Sequence, residues 1–424
     1  MSRALRLLPL LSFLIAAQTP PDPAATARKA LDAVLGGRYA EFTALGTPEI
    51  QKDLNEAALT KIGAQIKTFG ALEKVDAPQV SKIGPNTALV FPVKFAQQNI
   101  NVRMLINSSG LISGFFMLPG ETPWKRPDYS KPDAFTEKQV TVGEGEWKLP
   151  GTIDMPSGAG PFPAVVLVHG SGPNDRDETI GGTKVFRDLA EGLASHGIAV
   201  LRYEKRTKLY GSKVAAMKVF TLHDETVEDA LKAVALMRTQ QGVDPKRVFV
   251  LGHSLGGYAA PRIAQEDPQI AGFILMAANA RHIEDLLVEQ VQEVGGNARA
   301  LENAKAIQSK VKSLEPGDEA SPAVLGAPAT YWLDLKDYDP VPEAAKLTVP
   351  MLILQGGRDS QVSMKDFELW KAGVGKRPGV VMKSYPSLNH LFVTGEGKSS
   401  PAEYAKPGHV APEVIEDIAA FVKK

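Results

Sequence analysis

The residues with the clearest chemical potential surround Ser254, in the string GHSLGG at positions 252–257. The string contains a G-x-S-x-G pattern and directly follows residues 247–251, an apolar segment that predicts a strand. A sharp turn from strand to helix would lift the serine hydroxyl above a sheet. It would also place the backbone N–H of Leu255 where it can face a developing oxyanion. We therefore predict that Ser254 is a nucleophile and that Leu255 contributes to an oxyanion hole.

A serine hydroxyl is a weak nucleophile near neutral pH unless a base and an orienting acid accompany it. Two later segments supply both groups directly after predicted strands. Residues 351–354 lead into a glycine turn that ends at Asp359, and residues 380–384 lead to His390. The carboxyl ends of parallel strands meet at one edge of a sheet, where ligands bind. The spacing therefore predicts a triad of Ser254, Asp359 and His390.

Other interpretations of the acid and the base remain open at this stage. His390 could be a solvated loop residue, and Asp359 could cap a helix or pair with Arg358. Only Asp359 lies in a tight turn at the carboxyl end of a predicted strand. The other carboxylates nearby precede that strand or fall on the helix after it: Asp334, Asp337, Asp339 and Asp366.

An oxyanion hole needs a second backbone donor, from the loop after an earlier strand. Residues 164–168 predict such a strand, and the loop HGSG follows it. We predict that the Ser171 N–H is this donor, with Gly170 as its rival. His169, and equally His253 beside the nucleophile, are interpreted as packing residues because the triad already has its base.

A charged run lies just beyond this loop, at Asp175, Arg176, Asp177 and Glu178. Its three carboxylates could suggest a metal site. Arg176 lies among them, however, and no histidine spacing accompanies them, so a salt-bridged loop is favoured. Because the run adjoins the predicted oxyanion loop, we also expect Asp175 and Arg176 to line the substrate pocket.

The chain from residue 138 to 424 predicts an α/β domain in which helices cover both faces of a mostly parallel sheet. Residues from about 281 to 346 are helical and charged and separate two of its strands, which indicates an inserted cap that controls substrate size. The predicted strands are 164–168, 198–203, 248–251, 273–277, 351–354 and 380–384, and the clearest helices are 186–195, 226–239 and 255–265.

Residues 24–119 predict a smaller α+β domain. Prolines at 119, 123, 127 and 132 exclude a long helix or a central strand, so residues 120–137 are predicted to be a linker. The patterns within the domain are, in order, helical spacing over 24–46 and 48–69, alternation over 88–95, and a hairpin of 100–106 and 111–118.

The first residues have the layout of a secretory signal peptide. Arg3 and Arg6 precede an apolar run over residues 7–17, and small residues at its end suggest cleavage near Ala17. A short membrane anchor or a buried helix is the competing interpretation, but the run is too short to span a bilayer comfortably. We expect residues 1–17 to be removed and the protein to be exported to the periplasm or beyond.

The composition narrows the choice of partners. Forty-eight basic residues balance forty-eight acidic ones, so no net charge attracts the protein to nucleic acid or to an anionic membrane. The 424 residues include no cysteine, which excludes disulfides, thiolate metal sites and a cysteine nucleophile. The expected partner is a small-molecule substrate, and the sequence leaves the oligomeric state open.

Four segments together resemble bacterial α/β hydrolases of the dienelactone-hydrolase and serine-aminopeptidase-like groups. They are HGSGPNDRD at 169–177, IAVLRY at 198–203, GHSLGG at 252–257 and LNHLF at 388–392. The resemblance implies hydrolysis of carboxylic esters without a metal or organic cofactor. Serine at position 254 departs from the cysteine nucleophile of dienelactone hydrolase itself. Residues 24–119 resemble the nuclear-transport-factor-like domains that precede some exported hydrolases.

These observations predict a serine esterase that works through an acyl-enzyme. A peptidase could use the same triad, although an aminopeptidase would need an acidic anchor for the free amine of its substrate, which the sequence does not identify. A non-catalytic binding protein on a hydrolase scaffold is the alternative from another class, and the occupied triad positions argue against it.

Overall fold

The computed structural model describes residues 22–96, 98–120, 124–296 and 298–424. The signal peptide predicted over residues 1–17 lies outside these ranges. The chain divides into two compact units, one up to residue 122 and one from residue 123 onward. No helix within the described ranges is both long enough and apolar enough to cross a membrane.

The first unit packs four helices against an antiparallel sheet. Neighbouring strands follow the order β1-β3-β4-β5, and β2 also pairs with β3. The elements are α1 Pro23–Leu35, α2 Tyr39–Ala44, α3 Pro48–Asp53, α4 Glu56–Lys67, β1 Leu72–Val75, β2 Gln79–Ile83, β3 Asn86–Phe95, β4 Asn99–Ile106 and β5 Ile112–Pro119.

Strand β3 has the alternation that its sequence predicts, because Leu89, Phe91, Val93 and Phe95 all enter the core of this unit. The two long helical stretches predicted before it are each divided into two helices. Between α1 and α2 the chain turns at Gly37, whose positive φ of 70° is a conformation that favours glycine. Strands β1 and β2 were missed because their side chains are mostly exposed and so carry no apolar alternation.

The second unit contains the predicted chemical residues. Its elements are β6 Phe135–Val142, β7 Leu149–Pro156, β8 Phe162–Val168, β9 Thr179–Ile180, β10 Thr183–Lys184, α5 Val185–Ser195, β11 Ala199–Tyr203, α6 Arg206–Leu209, α7 Gly211–Ala215, α8 Glu228–Arg238, β12 Val243–His253, α9 Leu255–Glu266, β13 Phe273–Met276, α10 Ile283–Glu293, α11 Ala298–Lys312, α12 Ala329–Lys336, α13 Pro340–Ala345, β14 Met351–Gly356, α14 Met364–Val374, β15 Val380–Tyr385 and α15 Pro412–Lys423.

Eight of these strands form one sheet in the order β15-β14-β13-β12-β8-β11-β7-β6. The run from β15 to β11 is parallel throughout, and β7 is antiparallel to both of its neighbours. All six predicted strands belong to the parallel run. Strands β6 and β7 do not follow from the sequence pattern, because β6 is mostly exposed and β7 contains two prolines and a glycine.

The sheet is covered on both faces, and strand β8 shows why its sequence is continuously apolar. Val166 and Val168 enter a core formed with α8, α9 and α14, while Val165 and Leu167 enter a second core formed with α5 and α15. A strand buried on both faces needs an apolar side chain at every position. This burial holds the carboxyl ends of the parallel strands in a fixed array.

The segment predicted as a cap, residues 281–346, is helical as expected but has two parts. Helices α10 and α11 pack against each other. Helices α12 and α13 instead belong to the main core, where the Tyr258 hydroxyl on α9 donates to the Tyr338 carbonyl and the Tyr338 hydroxyl donates to the Tyr258 carbonyl. Val311 of α11 also enters this core, so α10 is the part of the segment that is best placed to cover a pocket.

Candidate active site

Ser254 lies in a strained turn between β12 and α9. Its backbone has φ 52° and ψ −116°, a conformation that non-glycine residues rarely adopt. The Ser254 N–H donates to the Met276 carbonyl on the neighbouring strand β13 at 2.8 Å, which helps to hold the turn. A Cβ at Gly252 would overlap the backbone of Gly256, and a Cβ at Gly256 would overlap the Val168 carbonyl. Glycine is therefore required at both positions for the turn to close.

Asp359 and His390 meet at the edge of the sheet where β14 and β15 end. His390 Nδ1 lies 2.7 Å from Asp359 Oδ2, and both side chains are buried. A carboxylate can only accept, so Nδ1 carries the proton and Nε2 of the neutral ring is left as an acceptor. A base of this kind can take a proton from a serine hydroxyl.

The Asp359 carboxylate is itself held by three further donors. Its Oδ1 accepts the backbone N–H groups of Gln361 and Val362 at 2.8 and 2.9 Å, and its Oδ2 accepts the Gln355 amide at 3.1 Å. Arg358, the alternative ion-pair partner of Asp359, does not pair with it, because the Arg358 guanidinium pairs with Glu403. The competing carboxylate Asp366 pairs with the Arg281 guanidinium rather than with an imidazole.

The two candidate oxyanion donors in the loop after β8 differ in their engagement. The Gly170 N–H donates to Glu178 Oε1 at 2.7 Å, so it is already used and the expectation that it could serve an oxyanion is not met. The Ser171 N–H has no hydrogen-bond partner within the described part of the chain. Leu255 is the first residue of α9, so its N–H has no acceptor within the helix. Ser171 and Leu255 are therefore the available donors.

A cavity of about 420 Å³ is lined by Ser254, His390 and Ser171, whereas Leu255 and Asp359 are not among its lining residues. Cap helix α10 forms one wall with Gln290 and Val291. Ser254 and His390 both face the cavity, so the nucleophile and the base of the predicted triad share one space. The lining residues are Gly170, Ser171, Asn174, Glu178, Ile180, His253, Ser254, Gln290, Val291, Val294, Ser360, Gln361, His390 and Tyr404.

Asp175 and Arg176 do not line this cavity, contrary to the expectation from sequence. The Arg176 guanidinium turns toward the outer strands and binds Glu204, Gln139 and Thr152. Asp175 accepts the Thr179 N–H and so closes its own loop. The run is thus a salt-bridged loop, and no cluster of three or more metal-binding side chains occurs in the described ranges.

His253, for which the sequence predicts only a packing role, makes two polar contacts beside the nucleophile. Its Nε2 donates to the His390 carbonyl at 3.0 Å, and its Nδ1 lies 3.0 Å from Glu178 Oε2, a charge contact without good hydrogen-bond alignment. Both ring nitrogens face oxygen atoms, as an imidazolium requires. Burial disfavours the charge, but the Glu178 carboxylate outweighs burial and raises the pKa of His253. Likewise, the charge of His253 lowers the pKa of Glu178 despite its burial.

His169 matches the packing interpretation. Its ring lies between Phe186 and Tyr203, and its Nε2 contacts the Asp175 carbonyl at 3.1 Å. Burial lowers the pKa of His169 to about 4, so the ring is neutral near pH 7. The neutral His169 ring, packed among these aromatic side chains, stabilises the start of the oxyanion loop.

The chain is similar in sequence to known hydrolases. A family model described as the alpha/beta hydrolase family matches residues 165–406. Esterase EstD of Thermotoga maritima is 44% identical to this chain over 338 residues, which is 79% of each protein.

Solved structures show lower similarity. Est1E from Butyrivibrio proteoclasticus is 17% identical, with a TM-score of 0.45 and coverage of 67% of this chain and 100% of that one. A protein described as a putative dienelactone hydrolase from Klebsiella pneumoniae is 17% identical, with a TM-score of 0.41 and coverage of 69% and 99%.

Proposed function

The chain belongs to the alpha/beta hydrolase family and is a carboxylic ester hydrolase, and we propose that Ser254, His390 and Asp359 carry out its reaction. The observation that supports this proposal best is the 2.7 Å contact between His390 and Asp359 beside the cavity that Ser254 lines. The three residues act as nucleophile, base and orienting acid, respectively.

The reaction proceeds in two halves. His390 Nε2 takes the Ser254 proton as Oγ bonds to the ester carbonyl carbon, and the oxyanion is held by the N–H groups of Ser171 and Leu255. The tetrahedral intermediate collapses, the bond to the alkoxy oxygen breaks, and the alcohol leaves with the proton from His390. Water then attacks the acyl-enzyme with His390 as base, which releases the carboxylic acid and restores Ser254.

The cavity favours esters over peptides with a free amino terminus. An aminopeptidase needs an unpaired carboxylate to bind the ammonium group of its substrate. Glu178 is the one carboxylate among the described lining residues, and it is engaged by His253 and by the Gly170 N–H. The described lining residues therefore include no unpaired carboxylate that could bind the ammonium group of such a substrate.

A fluorophosphonate probe is expected to label the protein at Ser254, because the probe forms a covalent bond only with an activated serine. Mass spectrometry of the labelled peptide checks the position. The same preparation, assayed with a panel of carboxylic esters and amino-acid amides, is expected to turn over the esters. A folded protein that takes no label would favour the non-catalytic alternative, and preferential turnover of the amides would favour the peptidase.

The cap is expected to limit substrate size through helix α10. Val291→Trp adds bulk to the cavity wall and should lower kcat/KM for long-chain or bulky esters by about tenfold or more relative to short ones. This is the scale on which apolar pockets discriminate. Ala306→Trp, on an exposed face of α11, is the matched control and should leave the preference unchanged. An unchanged chain-length preference in Val291→Trp would contradict a role for α10 in selection.

For the N-terminal unit we propose a relationship to nuclear-transport-factor-like domains. The support is that four helices pack against a set of antiparallel strands around a single core. All the described residues that line the cavity, and the three residues of the proposed triad, belong to the second unit. A solved structure of residues 24–119 with helices on both faces of the sheet would contradict this relationship.

A further inference from the structure

Two buried charged side chains hold Gly170 from opposite sides, and the mechanism above uses neither of them. The Gly170 N–H donates to Glu178 Oε1 at 2.7 Å, and the Gly170 carbonyl accepts from Lys205 Nζ at 2.7 Å. Lys205 is 3% exposed and Glu178 is fully buried. Sequence reasoning did not single out Lys205, although it follows strand β11 at the same edge of the sheet as the triad.

The hydrogen bond from Lys205 to the Gly170 carbonyl determines the direction of the Ser171 N–H. The carbonyl of Gly170 and the N–H of Ser171 belong to one planar peptide, and in a trans peptide they point in opposite directions. Lys205 binds this carbonyl from a buried position outside the cavity lining. The Ser171 N–H therefore points away from Lys205. Asn174 reinforces the arrangement, because its amide donates to the same carbonyl at 3.2 Å.

Lys205 is in turn fixed by a buried network. Its Nζ lies 2.6 Å from Glu225 Oε1, and the second oxygen of Glu225 accepts the Tyr331 hydroxyl at 2.7 Å. A buried ion pair of this kind contributes little net stability, because desolvation of the two charges offsets their attraction. Two hydrogen bonds, one to the Gly170 carbonyl and one to its ion-pair partner Glu225, do, however, fix the position of the ammonium group.

We propose that Lys205 is a positioning residue of the oxyanion hole, which acts by holding the Gly170 carbonyl so that the Ser171 N–H faces the oxyanion formed at Ser254. Glu178 completes the arrangement by accepting the Gly170 N–H. This N–H therefore cannot compete with the Ser171 N–H for the oxyanion. The inference rests on the proposed function of Ser254. It assigns to Lys205 an effect on the transition state and not on substrate binding.

The test compares Lys205→Met with the wild-type protein. Loss of an oxyanion donor lowers kcat by about 10²–10³-fold, and its misorientation is expected to cost about 10–100-fold. KM should change by less than about twofold, since the ground-state ester makes weaker use of the donor. Binding of a trifluoromethyl ketone, which forms a tetrahedral oxyanion adduct with the serine, should weaken by the same factor as kcat. Binding of the carboxylic acid product should not weaken.

Arg238→Met is the matched control, because it removes an ion pair with Asp267 in the same unit without touching the cavity. It should lower Tm while leaving kcat unchanged. If Lys205→Met does not fold, the charge-balanced variant Lys205→Met/Glu225→Gln replaces it. Unfolding of both would make Lys205 a structural residue and overturn the proposal.

The outcomes separate this inference from the function on which it rests. Full kcat and full ketone affinity in a folded Lys205 variant, with turnover lost in Ser254→Ala, would overturn the role of Lys205 alone. Turnover that persists in Ser254→Ala would contradict the proposed function instead.

Discussion

Ser254→Ala is expected to fold normally and to lose ester hydrolysis by about 10⁶-fold, the loss seen when the nucleophile of a serine hydrolase is removed. The reason lies in the side chain alone. Without Oγ no acyl-enzyme forms, and His390 has no proton to accept. The donors at Ser171 and Leu255 remain, so only the weak catalysis that an oxyanion hole gives to direct attack by water should survive.

Folding should be unaffected because alanine keeps the Cβ that strains the turn. Ser254 has φ 52°, which disfavours any residue with a Cβ, and serine and alanine incur that cost equally. Ser254→Gly is the informative companion variant. It should be equally inactive, but its Tm should rise, since glycine adopts a positive φ without strain.

Initial rates with a short-chain ester and thermal melts followed by circular dichroism check both variants. Hydrolysis by Ser254→Ala within tenfold of the wild-type rate would remove this residue from the mechanism. A Tm for Ser254→Gly below that of Ser254→Ala would show that the turn is not strained in solution.

The proposed triad could be predicted from sequence because each member follows a recognisable strand. β12 and β14 are continuously apolar at their carboxyl ends because they are buried on both faces, whereas β15 is a partly exposed edge strand that three consecutive apolar residues at its start still mark. Their parallel arrangement then brings the residues that follow them to one edge. The geometry of Asp359 and His390 was thus implied by local patterns together with one rule about parallel sheets.

The supporting charges could not be predicted in the same way. Glu178 and Lys205 look like surface residues in sequence, and their burial depends on partners 75 and 20 residues away, His253 and Glu225. Their pairing exists only once the sheet has formed. The error over Asp175 and Arg176 has the same origin, because neighbours in one loop can point to opposite sides of it. The sequence does carry one signal for Lys205. Like the triad residues, it lies just beyond the carboxyl end of a predicted parallel strand, here β11.

Asp359→Asn is expected to lower kcat by about 10⁴-fold, the effect of the same change in a comparable triad. The surroundings of the side chain determine which way the new amide must turn. Two backbone N–H groups, of Gln361 and Val362, donate to the Oδ1 position, so the amide oxygen of asparagine must lie there. The amide nitrogen is then directed at His390 Nδ1.

That orientation reverses the hydrogen bond to the base. An amide N–H can only donate, so Nδ1 of His390 must accept, and the proton of the neutral ring moves to Nε2. With Nε2 protonated, the ring cannot take the proton of Ser254. The amide nitrogen also faces the donating amide of Gln355, which held the carboxylate at 3.1 Å, so a moderate fall in Tm should accompany the loss of activity.

Asp366→Asn separates this effect from the general cost of removing a buried carboxylate. Asp366 is fully buried and pairs with Arg281, so its replacement should lower Tm at least as much as Asp359→Asn does. Because Asp366 does not contact His390, kcat should remain within a few-fold of wild type. The measurement is kcat for one ester at matched temperatures well below both Tm values. Near wild-type kcat in Asp359→Asn, with a large loss in Asp366→Asn, would assign the orienting acid to Asp366 and require His390 to turn toward Arg281, away from the position in which Asp359 holds it.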